Sequence, residues 1–252
     1  FAQLNISAQE NIEGNRVVKA FAREDYEIEK FEKEVIDATY ELLPLTDLNN
    51  LRNIIQQKSF CGLNVTIPYK TAILPLLDEI DDKAREIGAV NVIKITHNQS
   101  HSHLKGFNTD IIGFKDSFKP LLKSWHTNAL VLGTGGASKA ICFALKELGI
   151  NTQLVSRKKN LDTITYEEIN EDFIKRNSLI VNTTPLGTFP NVESCPNIPY
   201  EFLTNRHLLF DLVYNPAQTL FLQKGLQQGA SVKNGYEMLI KQAEAAWKIW
   251  NL

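Results

Sequence analysis

The amino-acid sequence predicts an α/β fold, and three features of its pattern support this prediction. From residue 39 onward, short apolar runs alternate with helix-like segments, which is typical of strand-crossover-helix units. Several runs contain Val, Ile and Leu at consecutive positions, as strands require when helices cover both faces of a sheet. A second series begins at residue 129 with its own strand-turn-helix unit. The pattern therefore indicates two α/β domains, the second of the Rossmann type.

The predicted elements follow in chain order. Strands are expected at residues 39–44, 62–67, 89–95, 104–108, 129–133, 152–156, 179–182 and 207–213. A turn at residues 97–100 predicts a hairpin, the antiparallel element of an otherwise parallel first sheet. Helices are expected at residues 111–122 and 235–250. We expect domains over residues 31–110 and 111–234, with a final helix in residues 235–252 that packs back on the first domain.

Composition and charge restrict the class of function. With 43% hydrophobic residues, a chain of 252 residues can bury substantial cores. The 27 Lys and Arg nearly balance the 29 Asp and Glu, so no overall field attracts nucleic acid or an anionic membrane. Neither a signal peptide nor a long apolar span is expected. Three scattered cysteines without CxxC spacing argue against a disulfide framework and a zinc site. We expect a cytoplasmic protein that acts on a small molecule without a metal.

A glycine turn after the strand at residues 129–133 predicts a dinucleotide site. Gly133 permits the tight turn, and Gly135 lets the backbone approach a pyrophosphate. The N–H groups at the start of the following helix can donate to the pyrophosphate oxygens; they belong to Gly136, Ala137 and Ser138. The alternative is a turn with a structural role only.

The end of the next strand indicates which dinucleotide is bound. An NAD-preferring site usually has an acidic residue there to hold the ribose 2′-hydroxyl, and this chain has none. Ser156 can donate a hydrogen bond, and Arg157 and Lys158 can pair with a phosphate. The sequence therefore predicts NADP as the cofactor. The alternative is a solvated basic loop.

Two residues are candidates for proton transfer. Lys70 follows a strand and Pro68, which places it at a helix start near the carboxyl end of a sheet, where open α/β sheets bind ligands. A lysine held in such a cleft can act as a proton donor. Asp110, at the end of the segment 106–110, is the second candidate. A surface charge at Lys70 and an N-cap at Asp110 are the competing interpretations.

Seven segments resemble, in order and spacing, the motif series of shikimate dehydrogenases; they are residues 64–70, 87–91, 106–110, 133–138, 182–187, 211–216 and 234–242. The resemblance spans roughly residues 30 to 252. It implies reversible NADPH-dependent reduction of 3-dehydroshikimate to shikimate, a step of aromatic amino acid biosynthesis, by a monomer or homodimer. Lys70 would then protonate the developing alkoxide, while Asp110 fixes the lysine and accepts from a substrate hydroxyl.

The same resemblance implies further binding residues. Thr66, Asn91 and Gln242 would hydrogen-bond the hydroxylated ring, and Tyr214 would line the pocket. Thr183, Leu212 and Gly235 would lie near the cofactor. Each has a plainer alternative: Asn91 and Thr66 could satisfy local backbone, Tyr214 could be core, and Gly235 could start the last helix.

Residues 1–30 depart from the family pattern, which opens with a hydrophobic strand and a Ser-x-Ser loop. They predict a polar amphipathic helix, with Ser7 and Glu10 at capping-box spacing. The segment resembles a cytosolic helix of an ABC exporter's membrane domain, and we interpret it as a fused or misassembled start. Two further functions follow from it: an NADP-binding module that lacks turnover, and a membrane-transport subunit.

Overall fold

The computed structural model of the chain describes residues 43, 45–58, 60–98 and 101–251. The predicted N-terminal helix, with its exporter resemblance, and all but one residue of the predicted strand at 39–44 lie outside the described residues. Among the described elements, no helix is long and apolar enough to cross a membrane.

The described part of the first lobe contains a four-stranded sheet in the order β1-β3-β4-β2. Its strands are β1 (Gly62–Asn64), β2 (Glu79–Ile80), β3 (Val92–His97) and β4 (Ser102–Phe107). Three helices accompany them: α1 (Leu51–Gln57), α2 (Tyr69–Ala72) and α3 (Asp82–Ile87). The predicted hairpin is confirmed, because β3 ends at His97, β4 begins at Ser102 and the two strands pair antiparallel.

The expectation of an otherwise parallel first sheet is confirmed for the described strands. β3 pairs antiparallel with both β1 and β4, so β1 and β4 run in the same direction, and β2 pairs parallel with β4. The hairpin strand β3 is thus the antiparallel element among these four strands. The sheet is therefore mixed.

The second lobe has the predicted Rossmann-type sheet, with six parallel strands in the order β10-β9-β8-β5-β6-β7. The strands are β5 (Asn128–Leu132), β6 (Asn151–Ser156), β7 (Thr163–Thr165), β8 (Leu179–Asn182), β9 (Leu208–Asp211) and β10 (Ser231–Lys233). The helices α5 (Gly136–Glu147), α6 (Glu171–Arg176) and α7 (Leu220–Gln227) connect them. β8 and β9 are buried throughout, which explains their continuous apolar runs.

Two further helices, α4 (Asp110–Phe118) and α8 (Tyr236–Trp250), pack against each other beside the junction of the lobes. Gly113 of α4 allows their close approach, because a Cβ there would lie 2.4 Å from the Met238 carbonyl oxygen. At the end of α8, the Trp250 indole N–H donates to the Ile93 carbonyl of β3 at 3.0 Å. The last helix thus contacts the first sheet although it follows the second lobe in sequence.

Candidate active site

Lys70 and Asp110 meet at the junction of the lobes. The Lys70 Nζ lies 2.7 Å from the Asp110 Oδ2, and the two side chains are 15% and 8% exposed. Lys70 is held there by its backbone, since its carbonyl oxygen accepts from the Val90 N–H at 2.8 Å. The second oxygen of Asp110, Oδ1, accepts from the Asn91 side-chain amide at 2.9 Å. The carboxylate is therefore occupied by side chains and does not cap α4, whose N-cap residue is Thr109.

Asn91 connects this ion pair to a wider polar network. Its amide nitrogen also lies 3.0 Å from the Thr109 hydroxyl and 3.4 Å from the Gln242 Oε1. Its oxygen accepts from the Thr109 N–H at 2.7 Å, so the local backbone role expected as an alternative is present as well. Because Gln242 lies on α8, the network joins residues far apart in the chain. Buried networks of this kind hold their members in one arrangement when each polar group has a partner.

Thr109 is the member of this network that the sequence interpretation omitted. It is buried, and its hydroxyl contacts both Asn91 and Gln242. Its place directly before Asp110 was the available signal, because a hydroxyl next to a candidate catalytic carboxylate shares that carboxylate's surroundings.

Two further predicted substrate residues, Thr66 and Tyr214, lie outside the helices and strands. Thr66 is half-buried four residues before Lys70, in a turn where its carbonyl accepts from the Tyr69 N–H at 2.8 Å. Tyr214 is half-buried in the segment that follows β9. The pocket roles of both stay predictions.

The glycine turn has the geometry of a phosphate site. Gly133 follows β5 with φ +108°, a conformation that L side chains rarely adopt. At Gly135, the N-cap of α5, an added Cβ would meet nothing within 4 Å. No side chain caps the start of α5, because the Ser138 hydroxyl donates to the Gly135 carbonyl instead. The first N–H groups of the helix, at Gly136, Ala137 and Ser138, therefore suit an anion.

The end of β6 carries positive charge at the expected place. Ser156 is the last residue of β6, which pairs with β5 directly before the glycine turn. Its hydroxyl accepts from the Lys158 N–H at 3.3 Å, and both Arg157 and Lys158 are exposed. Within the described ranges, neither basic side chain forms an ion pair with a carboxylate, whereas Lys159 pairs with Glu168 at 2.5 Å. The residues present fit a 2′-phosphate.

The remaining predicted cofactor residues surround the turn. Thr183 donates its hydroxyl to the Leu132 carbonyl at 2.7 Å, and its oxygen would lie 2.8 Å from a Cβ on Gly133. Leu212 follows β9, and its carbonyl oxygen would lie 2.2 Å from a Cβ on Gly235. Gly235 is also the N-cap of α8, so its expected alternative role as a helix start is present.

A second buried carboxylate, Asp211, holds together the segments that carry Thr183 and Leu212. It accepts from the Asn182 amide at 2.9 Å, the Val213 N–H at 3.0 Å and the Thr219 hydroxyl at 2.5 Å. Asn182 in turn accepts from the Thr184 N–H and hydroxyl. Burial raises the pKa of Asp211 to about 6, although all three hydrogen bonds act in the opposite direction.

No group of three or more His, Cys, Asp or Glu that could hold a metal ion occurs among the described residues. The Lys70 ammonium, with its carboxylate partner, is the candidate catalytic group of the site. An ammonium in this position can stabilise a developing oxyanion and supply a proton.

Known proteins with similar sequences and structures come from one enzyme family. Residues 25–93 match the family model described as the shikimate dehydrogenase substrate binding domain. The NADP(+) shikimate dehydrogenase of Methanosphaera stadtmanae is 34% identical over 239 residues, covering 86% of this chain and 83% of that protein. The enzyme of the same name from Crocosphaera subtropica is 39% identical, covering 75% of this chain and 71% of the relative.

Among solved structures, shikimate 5-dehydrogenase from Thermus thermophilus in complex with NADP(H) and shikimate superposes with a TM-score of 0.75. It is 29% identical, and the match covers 97% of this chain and 89% of that one. The two-lobed α/β architecture is thus shared with an enzyme crystallised with both a dinucleotide and a small hydroxylated ring.

Proposed function

The chain belongs to the shikimate dehydrogenase family, and on that premise we propose that Lys70 and Asp110 are the catalytic pair in the reversible, NADPH-dependent reduction of 3-dehydroshikimate to shikimate. The position of Lys70 is the main support for this proposal. Its ammonium contacts the Asp110 carboxylate at 2.7 Å, and its stem passes beside Gly136 in the glycine turn. The Lys70 ammonium, which is the proton donor of the substrate lobe, and the phosphate site of the nucleotide lobe therefore face the same space.

Lys70 protonates the oxygen of the substrate ketone as its carbon is reduced. NADPH, when bound, supplies the hydride. The Asp110 carboxylate orients the ammonium and accepts a hydrogen bond from a substrate hydroxyl, and its negative charge is compensated by the lysine. In the reverse direction, the neutral Lys70 amine takes the proton from the substrate hydroxyl. Because the ammonium both attracts the developing negative charge and provides the proton, one side chain performs both tasks.

The nucleotide lobe contains groups for each charged part of NADP. The uncapped N–H groups at Gly136, Ala137 and Ser138 would hold the pyrophosphate. Ser156, Arg157 and Lys158 would hold the 2′-phosphate, since the end of β6 has no carboxylate to repel it. Thr183, Leu212 and Gly235 would lie beside the nicotinamide.

The substrate ring would be held by the residues around the Lys70–Asp110 pair. Asn91 and Gln242 belong to the same buried network, so they can present fixed amide groups to ring hydroxyls. Thr66 would donate from the turn before α2, and Tyr214 would close the pocket from the segment after β9. Residues of the first lobe, of the segment after β9 and of α8 would thus bind the same substrate.

The organisation follows from these roles. Residues 31–110 would form the substrate-binding domain, residues 111–234 the NADP-binding domain, and the helix in residues 235–252 would return to the first. The protein would act as a monomer or homodimer in the cytoplasm on small molecules alone.

A second candidate function, an NADP-binding module without turnover, is favoured by one observation. The match to the family model of the substrate binding domain spans residues 25–93, so residues 1–24 lie outside it. If the serines that bind substrate in the family have no replacement here, the dinucleotide would bind without reaction.

One experiment separates the two functions. Both predict that the purified chain shifts or quenches NADPH fluorescence. Only the first predicts that adding shikimate to the protein and NADP⁺ produces reduced nicotinamide, detected by its absorbance, and that Lys70→Ala abolishes the signal. NADPH binding without any shikimate-dependent reduction would support the module and reject the enzyme.

A further inference from the structure

We infer that Gly136 is a positioning residue for Lys70: the absence of its side chain, rather than its N–H group alone, sets the spacing between the lysine and the nucleotide turn. The inference rests on the proposed function of Lys70. An ideal Cβ on Gly136 would lie 3.1 Å from the Lys70 Cβ, 3.6 Å from its Cδ and 3.8 Å from its Cγ. The lysine stem therefore runs along the start of α5 and uses the room that the glycine leaves.

Lys70 cannot avoid a side chain at residue 136 by changing rotamer. The atom in closest approach is its own Cβ, whose position is fixed by the backbone of α2 and does not move with the side-chain torsions. That backbone is held in turn by the hydrogen bond from the Val90 N–H to the Lys70 carbonyl. A Cβ on Gly136 would therefore displace the lysine and its segment by a few tenths of an ångström, or move α5 away.

α5 is restrained from moving away, because three further side chains along it meet the substrate lobe. The Lys139 Nζ donates to the Gly88 carbonyl at 3.3 Å. Lys146 and Glu147 lie 3.8 Å and 3.5 Å from Glu86 and Lys83 of α3, respectively. These surface ion pairs are individually weak, but buried packing supports them.

A shared core joins the same elements beneath these polar contacts. Ile87 and Ala89 of the substrate lobe belong to one buried cluster with Ala140, Ile141 and Ala144 of α5. Because protein interiors are close-packed, a local steric overlap displaces neighbouring atoms and is not absorbed by empty space. A methyl group at residue 136 would thus act on the Lys70 segment.

The neighbouring glycine provides a matched control. A Cβ on Gly135 would meet nothing within 4 Å, so that position faces the open space where a pyrophosphate would bind. Gly135 has φ −79°, and Gly136 lies in the first turn of a helix, so alanine is compatible with the backbone at both. The two substitutions therefore add the same methyl group to adjacent residues without strain in φ.

The experiment measures both variants in the full chain. For Gly136→Ala we expect kcat to fall about tenfold, since misplacing a catalytic group by about 1 Å can cost about a hundredfold and the shift here is smaller. The deuterium isotope effect with 4-deuterated NADPH should rise, and the Kd for NADPH should stay within about twofold. For Gly135→Ala we expect the Kd for NADPH to rise about tenfold, without the rise in the isotope effect that Gly136→Ala shows.

A wild-type kcat and isotope effect in Gly136→Ala would overturn the inference, as would a loss of NADPH affinity equal to that of Gly135→Ala. A second readout does not need turnover. The rate of reductive methylation of Lys70, followed by mass spectrometry, should rise severalfold in Gly136→Ala and not in Gly135→Ala. If the wild type fails to oxidise shikimate, the proposed function falls, while equal methylation rates in both variants would still reject the spacing role by itself.

Discussion

Two buried aspartates, Asp110 and Asp211, occupy the two lobes, and their partners differ in charge. Asp110 receives the Lys70 ammonium and one amide, so a positive charge balances it. Among the described residues, the donors to Asp211 are neutral and belong to Asn182, Val213 and Thr219. The same residue type is thus placed in two environments of similar burial but unlike electrostatics.

The difference indicates two kinds of work. We propose that the Lys70 ammonium of the first pair transfers a proton to the substrate; this pair lies where the lobes meet. The Asp211 carboxylate holds together the ends of β8 and β9 and the loops that follow them. Its neutral partners compensate the cost of burial only in part, because hydrogen bonds from neutral groups stabilise a carboxylate less than a full opposite charge does.

Lys70→Ala should have the largest effect of the substitutions that test this difference between the two aspartates. Removing the proton donor should lower kcat about a thousandfold, within the usual range for general acid catalysis, while the Kd for NADPH stays within about twofold. Steady-state kinetics and fluorescence titration measure the two quantities. Because the variant leaves the Asp110 charge buried without its ion-pair partner, Lys70→Ala/Asp110→Asn serves as the stability control. A parallel loss of turnover and NADPH binding in both variants would contradict the assignment.

The same isosteric change at both aspartates sharpens the comparison. Asp110→Asn should lower kcat about a hundredfold, because the amide neither balances nor orients the ammonium as a carboxylate does. Asp211→Asn should leave kcat within about threefold, since its partners can be satisfied by an amide once the Thr219 hydroxyl turns to accept. Equal losses of kcat at the two sites would show that the distinction between them is false.

Stability against pH tests Asp211 in a second way. Burial raises its pKa from 3.8 to about 6, so between these values the folded protein keeps a proton that the unfolded chain releases. The free energy of unfolding should therefore fall by about 3 kcal/mol from this residue as pH rises from about 4 to about 6, and then level off. Urea unfolding of Asp211→Asn should lack this decline relative to wild type. Parallel pH profiles would contradict the burial argument.

Arg157→Ala is expected to have the smallest effect. Losing one charge-assisted contact to the 2′-phosphate should weaken NADPH binding about tenfold and change NADH binding less than twofold. Fluorescence titrations with both dinucleotides measure this, and Lys159→Ala is the matched control, because Lys159 pairs with Glu168. An equal change toward NADPH and NADH would reject the phosphate role.

The sequence allowed prediction of elements with strong local patterns. The buried strands β5, β8 and β9 were placed within two residues at each end, and the helix after the glycine turn was expected where α5 begins. β7 and β10 were missed because three-residue edge strands carry too short a pattern to distinguish from a loop. β2 was missed for the same reason, because its two residues give no pattern.

The site also contains features that local sequence patterns predict and contacts that they do not. The pairing of Lys70 with Asp110 was predicted from the family resemblance, because the two residues lie 40 positions apart and no local spacing reports their contact. The link between Asn182 and Asp211 spans 29 residues, and no local spacing reports it. Likewise, the glycine pattern predicted a phosphate turn, but only the packed lobes show that Gly136 faces the Lys70 stem.

The most direct test of the central claim is a crystal structure of the protein with shikimate and NADP⁺. If Lys70 transfers the proton, the hydroxyl to be oxidised should lie within hydrogen-bonding distance of the Lys70 Nζ, about 3 Å, and its carbon should face the nicotinamide ring. A ring bound away from Lys70, or a nicotinamide outside the space beside Gly135 and Gly136, would contradict it.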